Sequence, residues 1–116
     1  MLEVYSNLLH NLPNEIGYCT QLIKLDANKN QLTSIPPTIG QLELLTKLNL
    51  SNNKLTNLPS QFGMLKNLQM LNLGFNQFVE FPKEIFTLGS LEGLILNNNL
   101  FTEIPKEIGK KIPRKI

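Results

Sequence analysis

The sequence predicts an α/β repeat protein, built by stacking copies of one short unit along an axis. Two observations carry this expectation. Several columns of residues recur with a single spacing of 23 residues, and fixed self-similarity of this kind marks a repeat array. Within each period a short segment, such as Leu22-Ile23-Lys24-Leu25-Asp26-Ala27, places apolar residues at 25 and 27 against polar ones at 24 and 26. That period of two is the signature of a half-buried strand. Copies so spaced can stack as a parallel sheet, about 4.8 Å per strand. No single copy can bury its own apolar face, so the copies are stable only together.

Each column has a physical task. Leu22, Leu45, Leu68 and Leu91, with Leu2, Leu25, Leu48, Leu71 and Leu94, supply the strand and its approach. Asn7, Asn30, Asn53, Asn76 and Asn99 stand where the chain turns out of the strand and stays near the core. An amide side chain both donates and accepts, so it can pair with turn backbone groups that would otherwise be buried unsatisfied. Pro13, Pro36, Pro59, Pro82 and Pro105 fix φ on the return path, where no ladder donor is needed. Ile16, Ile39, Phe62, Ile85 and Ile108 follow three residues later as a second apolar row. Gly17, Gly40, Gly63 and Gly109 come next, with Phe86 the departure; glycine there allows either a positive φ or a close backbone approach.

The pattern LxxLxLxxNxLxxLPxxIGxLxx resembles the leucine-rich repeat family in its 23-residue form. Repeats carrying LPxxIG are similar to those of intracellular Ras-group scaffolds, Scribble-like polarity proteins, plant Ras-group proteins, and repeat proteins of protists and bacteria such as spirochaetes. The resemblance runs from Met1 to about Ile112. It implies a right-handed solenoid with a concave parallel β-sheet and a convex side of turns and short 3-10 segments. The chain then divides as one leucine-rich-repeat domain, 1–116, with a partial repeat at 1–21, full repeats at 22–44, 45–67, 68–90 and 91–113, and a basic tail at 106–116. The last repeat departs from pattern: where Leu42, Leu65 and Leu88 recur, Lys111 stands, with Ile112 one place late.

Composition agrees with a folded interaction module and narrows the classes. The 116 residues are 41% hydrophobic and 17% charged, with a net charge of +2, too small by itself to imply a polyanion partner. One cysteine excludes an internal disulfide. No stretch approaches the roughly 18 apolar residues of a membrane helix. Glu3 and Asn7 interrupt the region where a signal peptide has its apolar run. The expected location is therefore cytoplasmic.

Little in the sequence points to catalysis. Cys19 aligns with Leu42, Leu65 and Leu88, so it reads as a buried small hydrophobe in a core column. His10 follows the asparagine turn and is the only histidine, which leaves a zinc site or a histidine-based triad short of parts. It reads as a solvated loop residue. Glu15, Glu84 and Glu107 recur two residues after a proline, but Lys83 and Lys106 stand beside two of them. Solvated charges explain this better than a cation site. No phosphate-loop, HExxH, GxSxG or CxxC string occurs. Asn49-Leu50-Ser51 matches a glycosylation sequon but falls in a strand. The expectation is a protein that is not an enzyme, with no catalytic, metal or cofactor site and no cofactor.

The outward residues of the strands are left for recognition. They are expected to take no part in stacking, and they form the concave face: a row of Met1, Lys24, Lys47, Met70 and Gly93; a row of Glu3, Asp26, Asn49, Asn72 and Ile95; then Tyr5, Asn28, Ser51, Gly74 and Asn97; then Ser6, Lys29, Asn52, Phe75 and Asn98. Tyr5, Lys24, Asp26, Lys47, Asn49, Met70, Asn72, Phe75 and Ile95 are the expected partner-binding residues. Aromatic residues and methionine are enriched in protein interfaces. The simpler reading is that Phe75 folds against its own turn and Met70 is a lone exposed apolar residue. Three lysines interleaved with two carboxylates make a weak nucleic-acid footprint.

The tail from Lys106 to Ile116 carries five basic residues against Glu107, a net +4 that leaves −2 for the rest of a chain totalling +2. It can touch acidic lipid or protein, or be a solvated end whose Ile108, Ile112 and Ile116 cover the last repeat. The chain starts inside a repeat, at Leu2-Glu3-Val4, so a fragment of a longer array, able to self-associate through uncapped ends, is expected. Three functions are compatible with these residues: a protein-interaction scaffold, possible in signalling complexes by resemblance; the recognition segment of a larger enzyme such as a kinase, ubiquitin ligase or phosphatase; and a self-associating structural module.

Overall fold

A computed structural model describes residues 1–4 and 8–108, together with the backbone of 114–115. Tyr5, Ser6, Asn7, Gly109, Lys111 and Ile112, on which several expectations fall, lie outside the described residues. Six short strands form one parallel sheet in chain order: β1 (Leu2–Glu3), β2 (Lys24–Asp26), β3 (Lys47–Asn49), β4 (Met70–Asn72), β5 (Gly93–Ile95) and β6 (Arg114–Lys115). From β1 to β5 each residue faces the one 23 positions on: Leu2 pairs with Leu25, Leu25 with Leu48, Leu48 with Leu71 and Leu71 with Leu94. β6 breaks this spacing, because Leu94 faces Lys115. At 114–115 the backbone of the basic tail pairs with β5.

Between strands the chain returns through 3-10 turns η1 (Asn14–Tyr18), η2 (Pro37–Gln41), η3 (Ser60–Met64) and η4 (Lys83–Thr87). Each follows a column proline, with φ of −70° at Pro13 and −68° at Pro36. The pyrrolidine ring holds that angle and starts the turn. Its carbonyl accepts the first three-residue bond, from Ile39 N–H to Pro36 O at 3.0 Å and from Phe62 N–H to Pro59 O at 2.9 Å. Turns of this tight kind are rarely long.

The core lies between sheet and turns as stacked single-residue rows. Leu25, Leu48, Leu71 and Leu94 are buried, as are Ala27, Leu50 and Leu73 behind them and Ile39, Phe62, Ile85 and Ile108 on the turn side. Toward the C-terminal coils the filling becomes aromatic: Phe81 lies 5.3 Å from Phe86 and 6.3 Å from Phe101, ring centre to ring centre. Phe86, which stands in the glycine column, is therefore part of an aromatic cluster.

The asparagine column does what its chemistry predicts. Asn53 accepts from Leu32 N–H at 3.0 Å in the preceding coil and donates to Ala27 O at 3.1 Å in that coil. It also donates to Leu50 O and Ser51 O in its own coil. Asn30, Asn76 and Asn99 repeat the arrangement. Neighbouring asparagines share acceptors, since Leu50 O receives both Asn53 and Asn76. The result is a ladder of amide bonds through the solenoid.

The glycine column resolves in favour of close approach, because no described glycine has a positive φ. A Cβ on Gly40 would stand 2.5 Å from Gln61 O, and one on Gly17 would stand 2.9 Å from Thr38 O. Cys19 is exposed, which corrects its reading as a core residue. Leu42, Leu65 and Leu88 in the same column are buried.

Candidate functional site

The outward face of the sheet carries a shallow depression of about 220 Å³. It runs across β2, β3, β4 and β5. Seven of the residues expected to bind a partner line it: Lys24, Asp26, Lys47, Asn49, Met70, Asn72 and Ile95, with Met1 at one end. Strand alternation explains why. With Leu25, Leu48 and Leu71 turned inward, their neighbours must point out. Lys24 and Lys47 are exposed; Asp26, Asn49, Met70, Asn72 and Ile95 are half-buried. Phe75 is 49% exposed and does not line the depression. Tyr5 lies outside the described residues.

The second outward row also makes hydrogen bonds within its own coils. Asn49 Oδ1 accepts from Ser51 N–H at 3.0 Å and from Ser51 Oγ–H at 2.7 Å. Asn72 Oδ1 accepts from Gly74 N–H at 2.9 Å. Asp26 Oδ1 accepts from the backbone N–H of Asn28 at 3.1 Å and from its side-chain amide. These side chains close the strand end by a local turn bond, the habit of Asp and Asn. Asn49, the sequon asparagine, is among them. β5 departs from the rule, since Ile95 stands in this row and leaves an apolar spot in its place.

At the next position out of the strand the chain turns through the left-handed region: φ is 58° at Lys29, 57° at Asn52, 55° at Phe75 and 59° at Asn98. The conformation lets the N–H donate onward to the next coil, from Lys29 to Ser51 O, Asn52 to Gly74 O and Phe75 to Asn97 O, while the backbone leaves the sheet. For a bulky L-residue it costs about 1–2 kcal/mol. Phe75 buries about half its surface, on the order of 100 Å², worth roughly 2.5 kcal/mol. Burial therefore outweighs the backbone cost, and half the ring still faces solvent.

Among the described residues, no group of three or more His, Cys, Asp or Glu side chains is placed to hold a metal ion. No helix among them is long and apolar enough to cross a membrane. His10 is exposed. Glu15, Glu84 and Glu107 belong to the turn side, away from the depression.

A parallel sheet with one face on a shared core and the other open to solvent, its coils joined by an asparagine ladder, defines a solenoid repeat protein of the binding-module class. The family model for the leucine rich repeat matches residues 20–78, and the chain belongs to the leucine-rich repeat family. It is similar to a leucine-rich repeat protein of Leptospira interrogans, with 46% identity and a TM-score of 0.85 over 88% of this chain and 26% of that one. It is also similar to an internalin of Listeria monocytogenes, with 26% identity and a TM-score of 0.82 over 97% of this chain and 33% of that one. This chain thus spans about a quarter and a third of the length of those two. No curated protein matches it. Leucine-rich repeat domains are in general protein-interaction modules and typically not enzymes.

Proposed function

We propose that this chain is a scaffold that binds a protein partner across the concave face of its sheet, in a cytoplasmic signalling complex. The observation that carries the proposal is the depression spanning four consecutive strands, lined by outward side chains of each. Met70 and Ile95 offer apolar contact there, and Phe75, in the turn that leaves β4, exposes half its surface. A few such residues supply most of the energy in a typical interface.

Partner capture tests this directly. Met70→Glu or Phe75→Glu should lower capture more than about tenfold, the loss of one interface hot spot, with circular dichroism unchanged. Charge reversal at Glu15 and Glu84, on the turn side, should leave capture intact. Capture lost through Glu15 and Glu84 but kept through Met70 and Phe75 would move the interface to the convex side. A second reading, favoured by the greater length of the similar solved chains, is that this module is the recognition segment of a larger protein. The sequence flanking residues 1–116 distinguishes the two.

A further inference from the structure

We infer that the concave depression takes an acidic peptide segment carrying a bulky apolar side chain, with carboxylates on Lys24 and Lys47 and the apolar group against Met70 and Ile95. This inference rests on the concave face being the binding surface.

The charge argument begins with register. Lys24 and Lys47 are paired positions on β2 and β3, both exposed, so their stems leave the sheet about 4.8 Å apart. Like charges facing each other across strands are unfavourable. Among the described residues the ion pair formed is Lys66–Glu43 at 4.0 Å, and neither Lys24 nor Lys47 is in it. Asp26, the carboxylate on the same strand as Lys24, turns Oδ1 back to Asn28. Two neighbouring ammonium groups at the edge of a depression thus lack a carboxylate that a partner can bring.

Polarity changes along the sheet. Reading from β2 to β5, one outward row is Lys24, Lys47, Met70, Gly93 and the next is Asp26, Asn49, Asn72, Ile95. Charge ends at β3; β4 and β5 contribute no ionisable group to either row. Within a single depression the two lysines of β2 and β3 lie between Met1 on one side and the apolar Met70 and Ile95 on the other, with Asp26 the carboxylate among them.

Spacing then constrains the ligand. Lys47 lies one strand from Met70 and Lys24 lies three strands from Ile95, roughly 5 to 14 Å across the sheet. An extended peptide advances about 3.3 Å per residue, so its acidic residues stand about two to four positions from its apolar one. The alternative, a single-stranded nucleic acid, fits less well, because its bases stack on aromatic side chains and no aromatic side chain lines the depression.

The test uses fluorescence anisotropy on the full chain. The probes are a labelled Glu-Glu-Ser-Leu peptide, a charge-inverted Lys-Lys-Ser-Leu peptide, an apolar-deleted Glu-Glu-Ser-Ser peptide and a single-stranded oligonucleotide. The Glu-Glu-Ser-Leu probe should bind about tenfold more tightly than the other three and weaken several-fold as salt rises to about 0.5 M. The double variant Lys24→Glu/Lys47→Glu should lose it and gain the charge-inverted probe, while Lys54→Glu/Lys66→Glu should change nothing. Circular dichroism checks that each variant is folded. Equal or tighter binding of the charge-inverted probe or the oligonucleotide overturns the inference, as does no binding of any peptide. If the charge-inverted probe binds and Met70→Glu removes it, the acidic chemistry falls and the concave surface stands. If a probe binds and neither Lys24→Glu/Lys47→Glu nor Met70→Glu affects it, both fall.

Discussion

Replacing Asn53 by alanine is expected to destabilise the protein by about 2–4 kcal/mol, and the hydrogen-bond ladder shows where that loss arises. The three carbonyls that receive the Asn53 amide do not become orphans. Ala27 O keeps Asn30 at 3.1 Å, Leu50 O keeps Asn76 at 3.0 Å and Ser51 O keeps Lys29 N–H at 3.1 Å. Leu32 N–H has no such reserve. It donates to Asn53 Oδ1 at 3.0 Å, in a buried setting. One buried donor left unpaired costs about 1–3 kcal/mol, and three weakened acceptors add about 1 kcal/mol at the usual net worth of a hydrogen bond. A loss of that size lowers Tm by roughly 8–20 °C in a domain of this length. Urea unfolding followed by circular dichroism measures it, with the exposed Asn57→Ala as the reference. A midpoint the same for both variants would mean that the Asn53 amide is a surface turn former, and the ladder would have no energetic meaning.

Three further outcomes are expected. Gly40→Ala should lower stability by about 1–3 kcal/mol, because its Cβ meets Gln61 O; a gain of about 0.5 kcal/mol, normal for this change at a permissive site, would show that η2 and η3 can separate freely. Cys19 should react with Ellman's reagent in the native protein as quickly as a free thiol, since it is exposed; protection until denaturant is added would restore the core reading. The 116-residue polypeptide alone should self-associate, because among the described residues β1 pairs with β2 alone and an open edge is a template for pairing; light scattering of a monomer at every concentration would refute this.

The repeat, the parallel sheet and its register were legible because they depend on recurrence. A leucine every 23 residues can be buried by its copies only if Leu25 faces Leu48 and Leu48 faces Leu71, which they do. Much of the candidate surface followed from the same logic, since strand alternation turns Lys24, Lys47 and Met70 outward once Leu25, Leu48 and Leu71 turn in. Phe75 was the residue that alternation could not place. Its column of Lys29, Asn52, Phe75 and Asn98 contains no glycine, so the left-handed turn has only the two asparagines as a signal. The turn bonds of Asp26, Asn49 and Asn72 were likewise hidden, because an outward polar residue reads the same whether it serves a partner or its own backbone.

By itself, then, the sequence determined the periodic part of this protein: a solenoid with an inward leucine face, an asparagine ladder and proline-started turns. Each follows from local chemistry repeated at a fixed interval, so one coil implies the next. The tertiary structure alone decided what depends on neighbours. Glycine serves close approach because η1 and η2, and η2 and η3, meet through Gly17 and Gly40. Cys19 is exposed although Leu42, Leu65 and Leu88 of its column are buried. Lys24, Lys47, Met70 and Ile95 share one depression because four strands lie side by side, and adjacency between coils is a property no single repeat carries.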